Sequence, residues 1–143
     1  MRPIWIMAAL ALVSACDRAP GAPPARSTGG MMQHQTGGTV DTTGLRDLPV
    51  PAEFQQGAEL FAASCSSCHG EAALGTAQGP PLVHVVYEPN HHADLSFVMA
   101  AERGVRAHHW RFGDMPPRPE VSRDEVTEIV RYVRWLQREA GVY

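Results

Sequence analysis

A chain of 143 residues has room for one compact domain plus tails, and 44% hydrophobic residues supply a core without apolar material for repeated membrane spans. The formal net charge is −3 and all twelve basic residues are arginine, which excludes the clustered positive excess that a nucleic-acid partner requires. Acids without a base run from Asp47 to Glu102, whereas eight arginines meet five acids from Arg103 to Arg138, an asymmetry suited to orienting a partner protein through its field.

Residues 1–15 read as a signal peptide. Arg2 is a minimal positive region, and Ile4 to Val13 is an apolar run too short to span a bilayer. The following Val13-Ser14-Ala15-Cys16 resembles a bacterial lipobox. That resemblance implies lipidation of Cys16 and anchoring by acyl chains, each buried CH₂ contributing ~0.8 kcal/mol. Asp17 is similar to the signal that retains some lipoproteins at the inner membrane. Simple cleavage after Ala15, leaving Cys16 as a free thiol, is the alternative. Residues 16–50 are rich in Pro, Gly, Ser and Thr, so they read as a flexible tether. Within them, Met31-Met32-Gln33-His34 groups soft donors that suit Cu(I).

Helical periodicity begins near Pro51, which sets a domain over residues 51–143. Phe54, Ala58, Phe61 and Ala62 share one face of a helix that runs up to Cys65, and Gly57 beside that face permits close approach by another helix. A second helix is expected from Asp94, as its cap, through Glu102, with Leu95, Val98 and Met99 inward and Gly104 at its C-terminal end. The last helix carries a Ser122/Glu125 capping box and a stripe of Val126, Ile129, Val130, Val133 and Leu136, with Gly141 beyond it. Tyr132 and Trp135 flank the stripe. No alternating run suggests a sheet, so the fold class is all-α. The long loops at 75–88 and 106–121 need something to pack on.

Cys65-Ser66-Ser67-Cys68-His69 is the CxxCH spacing of covalent haem attachment. Both sulfurs can reach the two vinyl groups on one porphyrin edge, and the adjacent histidine is then carried beneath the iron. A thioredoxin-like dithiol would need a strand before the motif, and a zinc site would need two further ligands nearby. The sixth ligand is best supplied by Met115 in Gly113-Asp114-Met115-Pro116-Pro117, where the prolines stiffen the loop and a thioether favours ferrous iron. The alternatives are Met99, otherwise expected in the core, or one of His91, His92, His108 and His109. Pro80 in Gly79-Pro80-Pro81-Leu82 offers a carbonyl that can accept from the second nitrogen of His69. Trp110 and Arg111 carry the donors that haem propionates require.

These elements, in this order, resemble a class I c-type cytochrome over Pro51 to Gly141. The resemblance implies a small cytochrome c fold around one covalent haem c, terminal helices crossing near Gly57 and Tyr132, a Pro80 carbonyl accepting from His69, and Met115 completing the iron. It also implies a non-enzymatic electron carrier on the periplasmic side of a bacterial envelope. Its partners would be oxidoreductases, oxidases or reductases met in small transient interfaces. The departure from the family is the histidine content. His91 with His92, and His108 with His109, could meet across the haem edge and bind copper or zinc. A metal-handling or haem-based sensing module using these loops is therefore the alternative function.

Overall fold

The computed structural model describes residues 40–143, so the signal peptide, Cys16 and the Met31 to His34 group lie outside the described residues. Four α-helices follow in order: α1 (Ala52–Ser64), α2 (Ser66–His69), α3 (Asp94–Arg103) and α4 (Arg123–Glu139). Short 3-10 turns occupy Leu45–Asp47, Glu71–Ala73 and Val85–Tyr87. No strand forms among the described residues, and one antiparallel bridge joins Val105 to Met115. The fold is all-α, as the absence of alternating runs predicts.

Helix α4 is built as its sequence predicts. The Glu125 N–H donates to Ser122 Oγ at 3.3 Å, and the Ser122 N–H donates to Glu125 Oε2 at 2.8 Å, so two otherwise orphaned backbone donors are satisfied reciprocally. Val126, Ile129, Val130, Val133 and Leu136 are all buried. Gly141 ends the run with φ +68°, in the left-handed region that glycine enters at no steric cost.

Helix α1 crosses α4 at Gly57. A Cβ there would come within 2.2 Å of the Glu128 carbonyl oxygen and 2.9 Å of Tyr132 Cβ, so only glycine lets the two backbones meet. Phe54 stacks on Trp135 with ring centroids 5.7 Å apart, and Phe61 tilts against Tyr132 at 5.7 Å. The buried face of α1 therefore runs through Phe54, Gly57, Ala58 and Phe61. Ala62, expected on that face, is exposed, because centring the crossing on Gly57 rotates it outward. Phe61 is among the most deeply buried side chains, a burial that stabilises by roughly 1.5–3 kcal/mol.

Helix α3 departs from expectation at three positions. Ala93 is its N-cap and makes no side-chain capping bond. Asp94 instead accepts from Arg134 Nε on α4 at 2.7 Å. Leu95 is 55% exposed and Met99 40% exposed, because the contact with α4 is made by Val98 and Ala101 against Val126 and Val130. The packed chain also starts earlier than Pro51. Leu45 is buried, Val40, Leu48 and Val50 pack on the core, and the Asp41 N–H donates to the Ala140 carbonyl at 3.0 Å. These contacts offset the ordering entropy of residues 40–50, which composition alone assigns to the tether.

Candidate functional site: an apolar cleft with a histidine and a methionine in its walls

Cys65 sits at the junction of α1 and α2, and its carbonyl accepts from the His69 N–H at 2.9 Å. One helical turn thus carries Cys65, Cys68 and His69. Cys65 and His69 line a cleft of about 450 Å³, within the range of small-molecule sites, and Cys68 is half-buried beside it. Burial pushes the Cys65 thiol up to about 11, which is the opposite of the activated thiolate that a redox dithiol needs.

The loop after α2 is folded tightly onto it. Gly70 has φ +75°, and a Cβ there would lie 2.4 Å from the Gly75 carbonyl oxygen. Ala72 and Ala73 take left-handed φ values of +50° and +56°, strain of roughly 1 kcal/mol or more each. The loop holds them there: the Leu82 and Val83 N–H groups donate to the Ala73 carbonyl at 2.8 and 3.2 Å. The result brings Pro80 to His69, whose Nδ1–H donates to the Pro80 carbonyl at 2.9 Å. That bond fixes the tautomer and leaves Nε2 with a free lone pair. Burial lowers the His69 pKa and the Pro80 bond partly opposes it, so the ring is neutral and a competent ligand at neutral pH.

Met115 lies in the wall of the same cleft, and α3 pins its loop. Val105 and Met115 exchange two backbone hydrogen bonds, both 2.9 Å. The Arg118 N–H donates to the Ala101 carbonyl at 2.7 Å, and the Ala107 N–H to Asp114 Oδ1 at 2.8 Å. Gly104 makes the approach possible, since a Cβ there would meet the Met115 carbonyl oxygen at 2.6 Å.

The rest of the lining is mostly apolar, including Phe61, Leu82, Phe97, Val126 and Ile129. Trp110 lines the cleft too, but its indole N–H donates to the Tyr87 hydroxyl at 3.1 Å rather than waiting for a carboxylate. Arg111 is exposed and outside the lining. Arg103 and Arg118 are the guanidinium groups that do line the cleft, and Arg118 is paired with Glu120 Oε1 at 2.7 Å without hydrogen-bond alignment at Nε. The only sequence signal of Arg118 is its place directly after Met115-Pro116-Pro117. Met99 lines the cleft rather than the core, and the two histidine pairs converge at its mouth. An apolar cleft, two cysteines on one helical turn and a neutral imidazole fit a covalently attached haem c, and the Met115 thioether is a further donor in the same lining.

The cytochrome c family pattern matches residues 54–137. No curated protein sequence matches the chain. Among solved structures, the chain is similar to cytochrome cL of the marine methylotroph Methylophaga aminisulfidivorans, at 29% identity and a TM-score of 0.47, covering 58% of this chain and 52% of that one. It is also similar to the c-type cytochrome XoxG of Methylobacterium extorquens, at 18% identity and a TM-score of 0.49, covering 64% of this chain and 54% of that one. The chain spans about half the length of these two structures. With the family pattern extending from within α1 into the last turn of α4 and enclosing the CxxCH turn, the chain belongs to the cytochrome c family, whose cofactor is a covalently held haem c.

Proposed function

We propose that the protein is a periplasmic one-electron carrier in which His69 and Met115 both ligate the haem iron. The observation that carries this reading is the pairing of two rigidly presented donors in one apolar cleft: His69 oriented by the Pro80 carbonyl, and Met115 pinned to Val105. The bound haem supplies reversible one-electron exchange. Cys65 and Cys68 would hold it through thioethers, and the apolar lining with a Met115 thioether ligand would favour the ferrous state and raise the potential. Trp110 and Tyr87 brace one edge of the cleft, and Arg118 is the donor suited to a propionate. With His69 and Met115 both committed to the iron, the site would carry electrons rather than bind a substrate at the metal.

Redox partner proteins would meet the exposed edge in a small transient interface. The lipobox-like segment ending in Cys16 supports attachment to the periplasmic face of the inner membrane, and fractionation of a Cys16→Ser variant checks it: the variant should leave the membrane fraction. No helix among the described residues is long and apolar enough to cross a membrane. For the carrier itself, the reduced protein should titrate reversibly with one electron and fail to bind carbon monoxide at neutral pH. Ready carbon monoxide binding would overturn the reading and favour a sensor or peroxidase.

A further inference from the structure

Four imidazoles from two distant loops meet at the mouth of the cleft. His91 and His92 follow the Val85–Tyr87 turn, and His108 and His109 precede Trp110 in the loop that leads to Met115. Ring centroids of His91, His92 and His109 form a near-regular triangle with sides of 4.7, 5.2 and 5.2 Å. One ring nitrogen from each of these three lies within 4.8 Å of the others. We propose that His91, His92 and His109 form a binding site for a divalent transition-metal ion of the zinc type, separate from the haem iron.

The distances favour an ion over a mutual hydrogen bond. His91 Nε2 and His109 Nε2 are 3.4 Å apart, longer than the ordinary range for a hydrogen bond between such groups. Two nitrogens each about 2.0–2.1 Å from a shared zinc at the tetrahedral angle stand about 3.3–3.4 Å apart. The third imidazole is already set for ligation: His92 Nδ1–H donates to the Val86 carbonyl at 2.6 Å, so Nε2 keeps its lone pair. An all-nitrogen donor set disfavours calcium and magnesium, which want oxygen. Three imidazoles leave the fourth tetrahedral position to water or to a side chain of a docked partner.

The site is also built rather than incidental. Arg134 of α4, 5% exposed, donates through Nη2 to the His92 carbonyl and through Nη1 to the Tyr87 carbonyl at 2.6 Å, while its Nε holds Asp94. Buried Gln137 adds a bond to the Leu82 carbonyl at 2.7 Å. The loop bearing His91 and His92 is thus fastened at both ends to α4. His108 stays outside the triad, its Nδ1–H donating to the Arg106 carbonyl at 2.8 Å.

The test uses the haem-loaded protein, stripped with chelator and titrated calorimetrically with zinc chloride. One zinc per chain is expected, with affinity at least about tenfold weaker in His91→Gln and in His109→Gln, and unchanged in His108→Gln. Unaltered haem spectra identify the variants that keep the fold. Zinc-edge X-ray absorption on the wild type gives an answer that needs no variant, and should show three imidazole nitrogens at about 2.0 Å. Absence of stoichiometric uptake, uptake indifferent to His91 and His109, or a coordination shell without imidazole would each overturn the proposal.

Discussion

Where α1 crosses α4, the contact is close and apolar: Gly57 lies against the Glu128 carbonyl, with Phe54 on Trp135 and Phe61 on Tyr132 to either side. The loops that line the cleft, from Tyr87 to His92 and from Ala107 to Trp110, form a second wall held by a different material. There Arg134 and Gln137 reach from α4 to the carbonyls of Leu82, Tyr87 and His92, and Trp110 donates to Tyr87. The first wall depends on shape and tolerates no added atom. The second depends on polar bonds that fail one by one. A carrier needs the first to keep the CxxCH turn and its haem in register, whereas the second can carry a function that the family does not require.

Breaking the apolar wall should have the largest effect. Gly57→Ala drives a methyl into the α4 backbone, and denaturant unfolding should show a loss of about 3 kcal/mol. Breaking the polar wall should cost less. Arg134→Met leaves the half-buried His92 carbonyl without its donor and the Tyr87 carbonyl with only Gln137 Nε2 at 3.2 Å, so about 2 kcal/mol should be lost. A further result distinguishes the walls: zinc affinity should fall in Arg134→Met and stay unchanged in a Gly57→Ala protein that retains its haem spectrum.

Smaller again is the cap of α4. Ser122→Ala should cost about 1 kcal/mol. Its partner Glu125 has a pKa lowered from the ordinary 4.5 by bonds from the Ser122 N–H and hydroxyl. A depressed carboxylate stabilises the fold above its unfolded pKa and loses that contribution as pH falls through the lower folded value. Acid unfolding of Ser122→Ala should therefore show a shallower dependence on pH below about 4.5 than the wild type.

What the sequence makes legible follows the same division. The stripe and capping box of α4, the CxxCH turn and the Met-Pro-Pro loop have determinants within a few residues of one another, and periodicity or spacing exposes them. Asp94 looks like a cap because its partner lies 40 residues away, and no local pattern marks Arg134, because its carbonyl partners are 42 and 47 residues distant. Trp110 looks free to bind a propionate because Tyr87 is 23 residues upstream. Leu95 and Met99 read as core on a helical wheel, yet one faces solvent and the other the cleft, since a wheel does not say which face meets α4. The two histidine pairs are visible in the sequence, but only the folded loops reveal which three histidines converge.

The ferric absorption spectrum tests the ligation of the iron most directly. Wild-type protein should show the weak far-red charge-transfer band of a sulfur-ligated iron, and Met115→Ala should lose it while keeping the covalent haem. Met115→His should restore six-coordination at a lower potential. A wild type without that band, or a Met115→Ala variant that retains it, would contradict the assignment of Met115 as the partner of His69.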